Sequence, residues 1–135
     1  MRLPFRELPD DAGGTPRPVL GVCLGGDEHV RFDCLLDTGA VHNRFGSWVA
    51  QVLGIESEEG QRQRLAVGGV VVDAVTVPLR LSVGEFTWQA PVSFCDPWPF
   101  GFNLLGQEGF FRFFRVTLAA ARYTVEIEPD RGPVA

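Results

Sequence analysis

Phe32-Asp33-Cys34-Leu35-Leu36-Asp37-Thr38-Gly39-Ala40 is an apolar run that ends in Asp-Thr-Gly, and Phe102-Asn103-Leu104-Leu105-Gly106 follows much later in the chain. The run Cys34-Leu35-Leu36 is apolar on both faces of an extended chain, the pattern of a strand buried in a sheet. Asp37 then stands where that strand breaks into a tight turn. Carboxylate, hydroxyl and bare backbone each have a chemical use at such a place. Two carboxylates at contact distance cannot both ionise, so such a pair shares one proton and can supply a base and an acid together. A threonine hydroxyl both donates and accepts, and a glycine allows close approach of backbone. On the tripeptide alone, a turn aspartate that merely caps a backbone N–H remains an equal reading.

Around this stretch the chain reads as β structure. Strands are expected at Val19 to Leu24, Val30 to Asp37, Gln63 to Val67, Val70 to Val77, Pro78 to Val83, Phe86 to Phe94, Val116 to Leu118 and Tyr123 to Ile127, separated by turn residues. Gly68-Gly69 and Gly84-Glu85 mark two hairpins. Ser47 reads as the N-cap of a short helix over Trp48 to Leu53 that Gly54 stops. A second short helix is expected over Gln107 to Phe114, and Glu56 to Gln63 reads as a surface loop. Short strands at this spacing with two short helices predict an all-β, closed or partly closed barrel. Residues 1–17, rich in Pro, Asp and Gly, read as an extended arm that is disordered or laid along a partner; 18–129 form the domain and 130–135 a tail.

Composition bounds the partners. A chain of 135 residues builds one domain. All twelve basic residues are arginine and the net charge is -5, which argues against nucleic acid or an anionic membrane surface as a partner. No stretch approaches the roughly 18 apolar residues of a membrane span and the N-terminus has no apolar signal core, so a soluble, cytoplasmic protein is expected. Cys23, Cys34 and Cys95 lack metal or disulfide spacing, and His29 and His42 are too scattered to make a metal site with them. Cys23 and Cys34 read as buried thiols, and neither a metal nor a cofactor is expected.

The pair Leu35-Leu36-Asp37-Thr38-Gly39-Ala40 and Asn103-Leu104-Leu105-Gly106, in that order with a Gly-Gly hairpin between, resembles the retropepsin-type aspartic proteases over about Pro18 to Pro129. The resemblance implies an aspartic endopeptidase working as a homodimer on peptide or protein substrates. Only one Asp-Thr-Gly is present, so a dyad takes Asp37 from each of two chains around a two-fold axis. The resemblance also assigns Asp37, Thr38 and Gly39 to catalysis, Ala40, Val41, Phe102 and Leu104 to the substrate cleft, and Gly68 and Gly69 to the tip of a mobile flap. Trp98 and Phe100 read equally well as packing. Viral members usually carry an acidic residue after Asp-Thr-Gly-Ala and an arginine after the later glycine; here those places hold Val41 and Gln107. His42 and Asn43 read as a solvated loop, with polar bracing as the alternative. The loss of that charge pair motivates a second reading, a dimeric module of the same fold that binds peptides without cleaving them.

Overall fold

The computed structural model describes residues 1–8, 14–57 and 59–130. Twelve strands, one α-helix and two shorter helical turns follow in the order β1 (Arg2–Pro4), β2 (Arg6–Glu7), β3 (Pro16–Arg17), β4 (Val19–Leu24), β5 (Phe32–Leu36), β6 (Asn43–Gly46), α1 (Ser47–Leu53), β7 (Gln61–Val67), β8 (Val70–Val83), β9 (Phe86–Asp96), β10 (Asn103–Leu105), a π-helical turn (Gln107–Phe111), β11 (Phe114–Ala119), a 3-10 turn (Ala120–Arg122) and β12 (Thr124–Pro129).

The main sheet runs β4-β5-β10-β6-β9-β8-β7, and a further pairing of β4 with β8 closes its first six strands into a barrel. β7 lies outside the ring as the free arm of the β7–β8 hairpin. Closure removes the exposed edges that a six-stranded open sheet would leave. Val22, Leu24, Phe45, Leu81, Val92 and Leu105 are fully buried inside. The aromatic residues of the C-terminal third pack against one end of this core: Trp88 meets Phe110 at 5.6 Å and Phe114 at 4.9 Å between ring centroids. Edge-to-face geometry of this kind adds to plain area burial.

β10 decides the position of the Asp-Thr-Gly loop. It enters between β5 and β6, parallel to the first and antiparallel to the second. The chain leaving β5 at Asp37 therefore stands beside the chain leaving β10 at Gly106.

Several local expectations change. β8 is one strand of 14 residues that passes through Pro78, where the sequence reading broke it in two. Pro78 lies directly opposite Pro91 on β9, at a rung where neither missing N–H would have faced the other strand. Gly46, not Ser47, occupies the N-cap of α1, with no side-chain cap, whereas Gly54 ends the helix in the left-handed conformation at φ 65°. The expected second helix shortens to the turn Gln107–Phe111, and Phe114 already belongs to a strand. β7 starts at Gln61, two residues before the expected strand start at Gln63 and within the expected loop, of which Glu58 lies outside the described residues. At the N-terminus Arg2–Pro4 pairs antiparallel with β12 of the same chain, and the Met1 ammonium donates to the Ile127 carbonyl at 2.8 Å. Residues 9–13 of the expected arm and 131–135 of the expected tail lie outside the described residues. No helix among the described residues is long and apolar enough to cross a membrane.

Candidate active site

Backbone hydrogen bonds fix the Asp37 loop before any side chain is considered. Asp37 N–H donates to the Leu105 carbonyl at 3.0 Å, Gln107 N–H to Ala40 at 2.9 Å, and Glu108 N–H to Val41 at 2.7 Å. Within the loop, Ala40 N–H returns to the Asp37 carbonyl at 3.1 Å. The Asp37 carboxylate accepts the Gly39 N–H at 2.8 Å, a charge-assisted bond that sets its rotamer. A Cβ on Gly39 would lie 3.1 Å from that same carboxylate oxygen, so the turn is tight around the acid. Asp37 is half-buried, while Thr38 and Gly39 are exposed at the surface of the chain.

Gln107, where viral relatives of the motif carry arginine, donates its side-chain amide to the Thr38 carbonyl in a short hydrogen bond. The loop therefore has a neutral brace in place of a charged one. Two buried asparagines complete the frame. Asn103 accepts the Gly46 N–H at 3.1 Å and donates to the Asp33 carbonyl at 3.4 Å. Asn43 accepts the Gly106 N–H and donates to the Gly109 carbonyl, each at 3.0 Å. Asn43 is fully buried, so its solvated-loop reading is corrected: the side chain is turned inward because the helical turn after β10 presents it with an otherwise unpaired donor.

A cavity of about 260 Å³ opens at this loop. Asp37, Gly39, Ala40 and Val41 form its floor, and Leu104 lies beside them. Ala66, Val67 and Gly68 from the β7–β8 hairpin line its far side together with Phe100. Six of the nine residues expected at the site thus share one cavity. Thr38, Gly69 and Phe102 are not among its lining residues: Thr38 points its carbonyl at Gln107, and Phe102 stacks on Phe100 at 5.0 Å. Larger cavities, of about 540 Å³ beside α1 and about 430 Å³ against the N-terminal strand, hold neither Asp37 nor Gly68.

The hairpin tip is built as its glycines require. Gly68 and Gly69 have φ of 58° and 79°, the positive pair of a two-residue hairpin turn. Gly68 is also a close-approach residue, since a Cβ there would lie 2.8 Å from the Phe100 ring. That ring belongs to a stiff loop: Trp98 donates its indole N–H to the Phe102 carbonyl at 2.8 Å, and Trp98 meets Phe100 edge-on. Trp98 and Phe100 pack on the small cluster of Val67, Val72, Ala74 and Cys95, so Phe100 serves packing and cleft at once.

Phe100, whose sequence reading left cleft and packing open, lines the cavity, and so does Arg44, which the sequence reading did not assign to it. In β6 Asn43 and Phe45 are buried inward and Arg44 faces the other way, an alternation too short to be read before the strand is known. All three cysteines are free and buried. Burial raises the Cys95 thiol above its ordinary value, opposed by the Arg44 guanidinium beside it. Burial likewise raises Cys34, with Asp33 adding to the effect. Neither thiol is therefore poised as a nucleophile. Among the described residues no cluster of His, Cys, Asp or Glu is arranged to hold a metal ion.

Comparison with known proteins agrees with this geometry. The model of the aspartyl protease family matches residues 20–108, which include both the Asp37 loop and Gly106. No curated protein matches the chain. Among solved structures, a retropepsin-like aspartic protease from Rickettsia conorii superposes with a TM-score of 0.59 at 15% identity, covering 93% of this chain and 88% of its own. The EIAV protease complexed with the inhibitor HBY-793 gives a TM-score of 0.48 at 20% identity, covering 67% of this chain and 82% of its own. A strand-loop acid stitched to an apolar-apolar-Gly turn, inside a closed six-stranded barrel, is thus matched both by sequence family and by fold, and the chain belongs to the aspartyl protease family with the retropepsin-like architecture.

Proposed function

We propose that the protein is an aspartic endopeptidase whose active unit is a homodimer, with one Asp37 from each protomer forming the dyad. The observation that carries this reading is the Asp37 loop itself, held by the Leu105–Glu108 segment on one side of a cleft and faced by the Gly68 hairpin on the other. A cavity of about 260 Å³ is small for a site that must hold several residues of a peptide. A second copy of the same surface, related by a two-fold axis, doubles it and supplies the second carboxylate.

In this reading the ionised carboxylate takes a proton from a water molecule as its oxygen attacks the scissile carbonyl, and the protonated carboxyl gives its proton to the carbonyl oxygen. The tetrahedral diol then collapses as the C–N bond breaks: the protonated carboxyl gives its proton to the leaving amine while the other carboxylate takes a proton from a diol hydroxyl, which restores the singly protonated dyad. Gln107 holds Thr38 so that the two loops meet in register. The β7–β8 hairpin acts as the flap, excluding water from the dyad and so strengthening its electrostatic contacts.

Two experiments test this reading. Because one chain supplies one catalytic carboxylate, activity per chain is expected to fall on dilution through the dimer dissociation constant, in step with sedimentation. Activity that stays constant while the chains separate would overturn the two-chain site. For the flap, the variant with valine at both Gly68 and Gly69 is expected to lose about tenfold or more in turnover per folded molecule, alongside a melting shift of roughly 10 °C, since a β-branched residue resists positive φ and the first would strike Phe100. If melting falls sharply while turnover per folded molecule is unchanged, another segment covers the substrate.

The second reading, a binding module without catalysis, rests on Val41, half-exposed in the cleft where viral relatives place a charge. It expects a dimer that binds peptides and leaves them intact.

A further inference from the structure

Arg44 is the cleft residue with no assigned task. It sits in β6 directly across from Leu104 of β10, shares the cavity with Asp37, Val41, Gly68 and Phe100, and faces away from the inward-pointing Asn43 and Phe45. Its Nη1 is buried and has no hydrogen-bond partner among the described residues. Nη1 is turned into the protein, so the donors that Arg44 can offer to the cavity are those of Nε and Nη2, which are not among the buried unpaired atoms. Among the described residues the carboxylates with ion pairs take other arginines: Asp33 takes Arg6, Asp73 takes Arg64 and Glu108 takes Arg112. The Arg44 guanidinium lies against the Cys95 thiol, a weak partner.

We infer that Arg44 is a specificity-determining residue that accepts an acidic side chain of the substrate near the scissile bond. This rests on the endopeptidase reading above and adds the class of peptide it takes. A guanidinium presents its donors as a planar fork that matches a carboxylate with two parallel bonds, and a single amide carbonyl of the peptide backbone fills only one of them. The position of the acidic residue follows from the sheet. β6 is two strand spacings, about 10 Å, from the β5 strand that delivers Asp37. An extended peptide advances about 3.3 Å per residue, so the selected side chain lies within about three residues of the cleaved bond and not at it. Val67, Phe100 and Leu104 line the same cavity, and apolar neighbours of this kind strengthen a charge pair by lowering the local dielectric.

The test uses octapeptides spanning a bond that the full-length protein cleaves in a denatured protein digest, with each of the three residues on either side varied among Glu, Gln and Lys. At one position the wild-type protein is expected to prefer Glu over Gln by about 10- to 100-fold in kcat/KM, the usual worth of a hydrogen-bonded charge. In Arg44→Met that ratio is expected to fall near unity, and in Arg44→Glu the preference at that position is expected to turn to Lys, a gain that also shows the variant is folded. Cleavage by the wild type with no Glu preference at any of the six positions overturns the inference and leaves the endopeptidase reading standing. Binding is read separately, by fluorescence anisotropy on Asp37→Asn of labelled octapeptides drawn from a randomised pool, each made in a Glu, a Gln and a Lys version, so that this arm needs no prior cleavage. Preferential binding of the Glu peptide there, lost on adding Arg44→Met, with no cleavage by the wild type, supports the role of Arg44 and overturns the hydrolase. Equal binding of the Glu and Gln peptides, or no binding of either, overturns the inference.

Discussion

Replacing Asp37 by Asn is expected to lower peptide cleavage by at least about a hundredfold, the size of effect that loss of a positioned general acid–base carries, while melting temperature and dimer content stay as they were. The amide keeps the shape of the carboxylate, and its carbonyl oxygen can still accept the Gly39 N–H that the acid accepts at 2.8 Å. What it cannot do is exchange the proton that the dyad passes between water and leaving group. The variant therefore separates the chemistry of the loop from its architecture. Residual turnover above about one hundredth of wild type would count against the dyad, and a large fall in melting temperature would return Asp37 to the role of a turn residue. The wild-type profile adds a second check. A dyad that works only while it shares one proton has two limbs in its pH–rate profile, so a rate that climbs steadily from about pH 6 to about pH 9 is inconsistent with it.

How much of this was legible in the sequence depends on how local each cause is. The Asp37 loop, the apolar β5 strand and the Gly68-Gly69 turn are governed by short-range patterning and backbone chemistry, and they stand where the sequence put them, whereas Asn103–Leu105, read only as a motif before a turn, is a strand because it is paired on both sides by β5 and β6. The break expected at Pro78 is absent because a proline interrupts a ladder only where its missing N–H would have bonded the neighbouring strand; the Arg80 carbonyl, on the same side of β8 two residues on, turns away from β9 to the Gly25 N–H, and such register is visible only once the sheet is known. The helix expected over Gln107 to Phe114 is cut short because Phe114 is taken into β11 and packs against Trp88; tertiary packing overrode the run of rings. Arg44 escaped because a lone arginine in a four-residue strand has no pattern of its own. Its place in the cleft follows from β10 entering between β5 and β6, a crossing that no window of sequence displays. Asn43 escaped for the same reason: polar residues after a turn ordinarily face water, and this one faces a helical turn 63 residues further on.

That asparagine carries the second large effect. Asn43→Ala is expected to destabilise the protein by about 3 kcal/mol, the sum of an orphaned buried donor, a lost hydrogen bond and a small cavity. Gly106 N–H is left without its acceptor inside the barrel end, while the Gly109 carbonyl loses one of two donors and keeps the Trp88 indole at 2.8 Å. No neighbour can collapse into the gap cheaply, because Gly109 is itself bare to make room: a Cβ there would lie 2.2 Å from the Asn43 amide carbon. For a domain of this size the loss corresponds to a melting shift of roughly 10 °C, to be measured at fixed protein concentration because a dimer's stability depends on it. Asn43→Leu restores the volume but not the acceptor, so it is expected to recover little. The consequence reaches the site, since Gln107 and Glu108, which follow directly on Gly106, donate to the carbonyls of Ala40 and Val41 and hold the Asp37 loop in place. Cleavage by the Asn43→Ala protein that remains folded should therefore fall as well. A melting shift under about 2 °C, well short of the cost of one buried unpaired donor, would mean that water replaces the amide and that the loop is held by its backbone bonds alone.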